Sequence, residues 1–349
     1  MDALISSTGL AQYDGLPAGL TEIAPEKLYT ILPGPSLVHL DGKRSNPLFV
    51  SVLLHGNEPT GFLAVQALLR EFRSRALPRS ISIFFGNVLA AKENLRRLDT
   101  QPDFNRIWPG TDQPESDATA LAASVVDQMV RRKVFASIDI HNNTGLNPHY
   151  ACVNVYNNRY FQLARLFGRL VVYFIRPRGV LSAAFGRHCP SVTLECGKPG
   201  QKHGVSHALE YLNSCVHLNE IPDDPLPAGD LDLFHSIAQV TVPERISFDF
   251  NPGTVDLELS ADIDHLNFTE IPSGTVIGKI RSNGNIPLIA RDENGADVTS
   301  RYFRAENGEI VLNKAIMPSM FTLDHNVIRQ DCLGYIMERI KPLPKTHPK

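Results

Sequence analysis

The run Leu53-Leu54-His55-Gly56-Asn57-Glu58 sets an imidazole and a carboxylate three residues apart, after an apolar stretch and ahead of a helical pattern. On a turn or first helical turn this spacing brings both side chains to one side, where a ring nitrogen and a carboxylate oxygen can meet on one cation. Far downstream, FASIDIHNNTG ends a second apolar run on His141. Two histidines and one carboxylate form the ligand set of a catalytic zinc that keeps a position open for water. With 12 histidines in the chain, a surface or helix-cap pair is the competing reading for a single His-x-x-Glu.

SVTLECGKPG places Glu195 where the strand-like alternation calls for another apolar residue. A carboxylate buried there must be paired, hydrogen-bonded or functional. Beside a zinc-bound water, a Glu that is not a ligand suits a general base that later protonates the leaving amine; a salt bridge to Lys198 or a loop cap is the alternative. In LDTQPDFNRIWPG, Asn105 and Arg106 occupy a loop rich in Pro and Asp. The guanidinium fork of Arg106 matches a substrate carboxylate, or it is an ordinary surface arginine. Trp108, the single tryptophan, reads as a packing anchor.

The elements that would position these groups follow from the apolar pattern. From Lys27 to about His217, short β-rich runs (Ser36–Leu40, Leu48–Leu54, Ile81–Asn87, Ala136–Ile140, Ala151–Tyr156, Val171–Ile175, Ser191–Leu194) alternate with helical spacing over Gly61–Arg73, Ala118–Val134, Tyr160–Leu170 and Ser206–Leu218. Continuous Val, Ile, Phe and Leu runs suit a sheet covered on both faces, so the fold class expected is α/β, a mixed, largely buried sheet flanked by helices. NEIPDDPLPAGD (residues 219–230) marks a boundary, giving domains 1–225 and 226–349. Beyond it, Gln239–Phe250, Leu266–Ile271, Thr275–Ile280, Pro287–Ala290 and Glu309–Leu312 are strand candidates, parted by Asn251-Pro252-Gly253, Ser273-Gly274 and Asn283-Gly284. They predict a smaller C-terminal all-β domain, expected to cover the active-site cleft.

Composition narrows the function. Lys plus Arg number 34 against 37 Asp plus Glu, a net charge of −3, so no basic field invites nucleic acid or anionic lipid. Five cysteines, an odd number without C-x-x-C spacing, argue against a disulfide framework and for a reducing cytoplasm. No leader pattern or membrane-length apolar run is expected.

HGNE, DFNR, DIHNNTG and TLECG, in this order, resemble the succinylglutamate desuccinylase and aspartoacylase family of zinc carboxypeptidase-like hydrolases, over roughly residues 45–215. The resemblance implies one zinc ion per chain on His55, Glu58 and His141, Glu195 as catalytic base, and Asn105 and Arg106 on the substrate, Arg106 through a carboxylate. It further implies that Asn142 lines the pocket, that Arg187 supplies a second cation, and that Tyr302 faces substrate, with core packing as the alternative for Tyr302. Where relatives that cleave acetylaspartate carry an Arg, this chain has Leu89. The activity implied is hydrolysis of an N-acyl amino acid, a small carboxylate-bearing molecule. A metallocarboxypeptidase and a catalytically idle zinc-binding or interaction protein are the alternatives. Homo-oligomerisation stays open.

Overall fold

The computed structural model describes residues 4–281 and 286–342. The Asn283-Gly284 turn and the tail from residue 343 lie outside the described residues. The chain divides into two units, Met1–Asn142 with His149–Leu233 and Lys341–Lys349, and Asn143–Pro148 with Phe234–Ile340. The division thus falls a few residues beyond the Pro-rich stretch, and the six-residue loop after Asn142 is counted with the second unit.

In the first unit the strands are β1 (Leu4–Ile5), β2 (Ala11–Asp14), β3 (Ser36–Leu40), β4 (Gly42–Val52), β5 (Leu77–Phe85), β6 (Ala136–His141), β7 (Tyr150–Val153), β8 (Leu170–Tyr173) and β9 (Ser191–Glu195). Their order across the sheet is β1-β2-β3-β5-β4-β6-β9-β7-β8. β5, β4, β6 and β9 are mutually parallel, while β3 and β7 run antiparallel to their inner neighbours, so the sheet is mixed. The helices are α1 (Thr60–Glu71), α2 (Val88–Lys92), α3 (Asp117–Arg131), α4 (Asn158–Arg165), α5 (Leu181–Phe185) and α6 (Lys202–His217).

Alternation along the strands explains the two-sided cover. Phe84 meets Trp108 and Phe49 stacks on Phe185 of α5 at 4.4 Å, in a core shared with Leu121 and Val125 of α3. The next residue, Phe85, points to the opposite face and meets Phe62 of α1. Trp108 is fully buried, as a packing anchor is expected to be. Both faces apolar is what lets β4 and β5 read as continuous hydrophobic runs. Neither α2 nor α5 was visible as a pattern, since five residues are too few to show a period.

The second unit is built from β10 (Asp232–Thr241), β11 (Phe248–Asp249), β12 (Leu257–Leu259), β13 (Val276–Ile280), β14 (Ile289–Asp292), β15 (Phe303–Glu306), β16 (Glu309–Leu312), β17 (Met317–Ser319) and β18 (Gly334–Ile340). One sheet is ordered β11-β12-β13-β16-β15, and β10 pairs with both β14 and β18. The unit is not purely β: α7 (Thr299–Tyr302), α8 (His325–Gln330) and a 3-10 turn at Ile263–Leu266 interrupt it. The strand expected at Leu266–Ile271 is absent as a strand, because Phe268 turns into the left-handed region at φ +56° and only Ile271 makes a bridge, to Ile316. β10 starts at Asp232 rather than Gln239, its alternation running back to just after the Pro-rich stretch.

Candidate metal centre

β4, β6 and β9 are adjacent and parallel, and their carboxyl ends lie side by side. Crevices at such ends are where open α/β sheets keep their ligands. His55 follows β4 by three residues, His141 ends β6, and Glu195 ends β9 in register with His141. Aligned residues of neighbouring parallel strands stand about 4.8 Å apart and project to one face, so Glu195 stands beside His141. Both are buried.

The His55 turn is held by backbone packing. Leu53 takes the left-handed region at φ +57°, and a Cβ on Gly56 would lie 2.2 Å from the Ala90 carbonyl carbon, so only glycine lets the turn rest on α2. Glu58 then closes the turn with its N–H on the His55 carbonyl at 3.2 Å. The result brings ligand atoms of His55, Glu58 and His141 within 4.8 Å of one another, all three residues buried.

The orientation of the rings carries the chemistry. The Nδ1 atoms of His55 and His141 face the two oxygens of Glu58, each at 2.8 Å. Behind them, His55 Nε2 meets Asp103 at 3.0 Å and His141 Nε2 meets Asp139 at 2.8 Å. A carboxylate behind each imidazole fixes the Nε2–H tautomer and turns the Nδ1 lone pair inward, as in carboxylate–histidine–metal triads. Two inward lone pairs facing a carboxylate require a cation or a proton between them. Without a metal the proton is held hard. Burial works against it, yet Asp139 and Glu58 raise the His141 pKa well above its ordinary value. Burial likewise opposes ionisation of Glu58, and His55 and His141 overcome it and hold the carboxyl below the usual range.

Asp103 is kept ionised, against its burial, chiefly by Arg96, whose Nη2 donates to it at 2.9 Å. Arg96 also stands 3.7 Å from Glu58. Four carboxylates (Glu58, Asp103, Asp139, Glu195) against the guanidinium groups of Arg96 and Arg106 leave two negative charges, matching a divalent cation. One oxygen of Asp139 is buried with no hydrogen-bond partner among the described residues. The donor set and the charge therefore fit zinc.

Asn105 is brought to the centre. Its amide nitrogen is 3.4 Å from His141 Nε2, its Oδ1 accepts from the Leu181 N–H, and its own N–H donates to Asp103. Arg106 follows it, half-buried, with Nη1 on the Asn105 carbonyl at 2.9 Å. Asn142 is engaged on every side: it donates to Glu58 and to the Gly197 carbonyl and accepts the Thr60 N–H at the start of α1. It therefore braces the centre. Arg187 is exposed, with its guanidinium beside Gly110. Tyr302 is buried in the core of the second unit. Asp103, Asp139 and Arg96 were not singled out from sequence. The Asp139 signal was present, since residues two apart in a strand share a face.

A mixed sheet flanked by helices thus gathers two histidines and a carboxylate that could hold a metal ion at the carboxyl edge of its parallel strands. Residues 46–207 match the family model described as the succinylglutamate desuccinylase/aspartoacylase catalytic domain. No curated protein sequence matches the chain. Among solved structures it is similar to a succinylglutamate desuccinylase from Chromobacterium violaceum, at 18% identity and TM-score 0.56, covering 88% of this chain and 90% of that one. It is similar also to murine aminoacylase 3, at 16% identity and TM-score 0.55, covering 85% and 96%. At these identities the likeness establishes the fold, as expected from the sequence.

Proposed function

We propose that the protein is a zinc-dependent hydrolase that cleaves the amide bond of an N-acyl amino acid. The observation that carries this reading is the buried His55–Glu58–His141 group with Glu195 abreast of His141, in a domain whose family consists of acyl-amino-acid hydrolases. His55, Glu58 and His141 would hold the ion, which supplies Lewis acidity toward a carbonyl and toward water. Glu195 accepts the proton of the attacking water and returns it to the departing amine. Arg106 holds the substrate carboxylate with its two-pronged guanidinium, and Asn105 sets the loop from which it reaches. Arg96 and Asp103 keep the His55 ring turned inward.

Buried cysteines at positions 152, 189, 196, 215 and 332, outside any disulfide, agree with a cytoplasmic enzyme. Among the described residues no helix is long and apolar enough to cross a membrane. The deciding experiment is metal analysis of the purified protein followed by a screen of N-acyl amino acids for released amine, with a tripeptide in parallel. About one zinc per chain and amine release from an N-acyl amino acid support the reading. Cleavage of the tripeptide alone would assign a carboxypeptidase instead.

A further inference from the structure

One oxygen of Asp139 meets the His141 ring, and the other is buried without a hydrogen-bond partner among the described residues. A buried acceptor in that state carries its full desolvation cost, which favours any donor within reach. Aligned residues of parallel strands stand side by side on one face, so the donors in the sheet are few. On β9 the neighbour is Thr193, whose hydroxyl is spent on Ser182 Oγ at 2.9 Å. Two residues back on β6, Ser137 faces Ser191 of β9; both hydroxyls are buried and unpartnered among the described residues, so these two can serve one another. On β4 the neighbour of Asp139 is Ser51. Ser51 is fully buried, and its Oγ too has no hydrogen-bond partner among the described residues. Its other neighbours on that face of the sheet are apolar, Phe84 across on β5 and Phe49 two residues back on β4.

We propose that Ser51 is a positioning residue for the centre, its hydroxyl donating to the second oxygen of Asp139 and so fixing the carboxylate that orients the His141 ring. The inference rests on the reading of His141 as a metal ligand. Ser51 reaches Asp139 by a turn about its Cα–Cβ bond, which moves neither strand. Strands about 4.8 Å apart bring the two side chains within an O–H···O contact of about 2.5–2.7 Å once both point into the gap. One bond then satisfies two buried polar atoms. It also stops Asp139 from rotating about its Cβ–Cγ bond, which keeps the His141 Nε2–H on the carboxylate and the Nδ1 lone pair toward Glu58. Asp103 behind His55 is already held in this manner, with one oxygen on the ring and the other on Arg96. Ser51 does for Asp139 with a hydroxyl what Arg96 does for Asp103 with a guanidinium.

The test compares the natural protein with Ser51→Ala and Ser137→Ala, the latter removing an equally buried hydroxyl to which the proposal gives no part. Zinc affinity is measured in competition with a chromogenic chelator. In the metal-free protein, NMR of nitrogen-labelled histidine follows the His141 Nε2–H resonance. Alanine fits the space of serine, so both variants fold, which circular dichroism checks. Ser51→Ala is expected to move the His141 resonance and to weaken zinc by up to about tenfold, less than loss of the carboxylate itself. Ser137→Ala is expected to leave both as they were. An unmoved resonance or an unchanged zinc affinity in Ser51→Ala overturns the proposal, and so does an equal response in Ser137→Ala, which would make the effect one of strand packing. Should the natural protein bind no zinc, the proposed function fails, and the metal-free resonance still decides whether Ser51 holds Asp139.

Discussion

Two groups of histidines in one unit are built on opposite rules. Around His55 and His141 every ring nitrogen faces a carboxylate, from Glu58, Asp103 or Asp139. Around His149 the rings meet one another, the Phe167 ring and a backbone carbonyl. The first group holds positive charge so firmly that His141 is pushed up in pKa, and the second expels it so that His149 is pushed down. The number of imidazoles is similar. What separates a group fit for a cation from a neutral, stacked one is the set of carboxylates standing behind the rings.

The largest effect is expected from breaking the first group. His55→Ala or His141→Ala should abolish stoichiometric zinc in elemental analysis while the circular dichroism of the fold persists, because a catalytic ion occupies a preformed cleft rather than closing a core. Glu195→Gln should retain the zinc and lower kcat by about 10²–10⁴, since the amide keeps the shape but cannot take the proton. Undiminished turnover would make Glu195 structural.

Removing the charge behind a ring, rather than the ring itself, sharpens the contrast. Asp139→Asn and Asp103→Asn should weaken zinc about 10–100-fold in competition with a chromogenic chelator. No change in either variant would mean that the ring orientation owes nothing to these carboxylates. Arg106→Lys should raise KM for an N-acyl amino acid roughly tenfold, about 1.4 kcal/mol of lost fork geometry. An unchanged KM would remove Arg106 from substrate recognition.

The smallest effect concerns the neutral group. His149, and separately His39 beneath Ser82, are lowered to about 4 in the folded protein, His39 by burial and by Arg132. An unfolded histidine takes its proton near pH 6.5, so below that pH the unfolded state binds more protons. Stability is then complete above about pH 6.5 and declines as the pH falls toward 4. Thermal melts across that window should show a falling midpoint, and His149→Gln should flatten part of the slope. A midpoint independent of pH there would show that these rings are accessible and titrate normally.

Much of the centre was legible because each part has a local signature. His55 and Glu58 share a turn, and His141 and Glu195 end apolar runs. The parts that escaped are joined only in three dimensions, such as Asp103, which meets His55 across 48 positions. Asn142 bonds to Glu58, Gly197 and Thr60, a bracing use that no spacing reveals. In the second unit short strands gave weak periods. Leu266–Ile271 has the composition of a strand but becomes a 3-10 turn and a left-handed residue, and Phe303–Glu306 pairs with Glu309–Leu312 across a two-residue turn that sequence reading passed over.

The six residues that follow Asn142 set a limit on how this gene product can be divided. Asn143–Pro148 is counted with the β-rich unit, where Thr144 shares a hydroxyl hydrogen bond with Thr322 and Asn147 accepts the Met320 N–H. A Cβ on Gly145 would lie 1.9 Å from the Phe321 carbonyl oxygen, so that position tolerates no side chain. The segment begins two residues after His141. A cut at the Pro-rich stretch would therefore leave behind a loop stripped of its partners, immediately downstream of the His141 ring. Fusion, circular permutation or exchange of the C-terminal part among relatives would have to carry this loop along, as one inherited piece with residues nearly two hundred positions away.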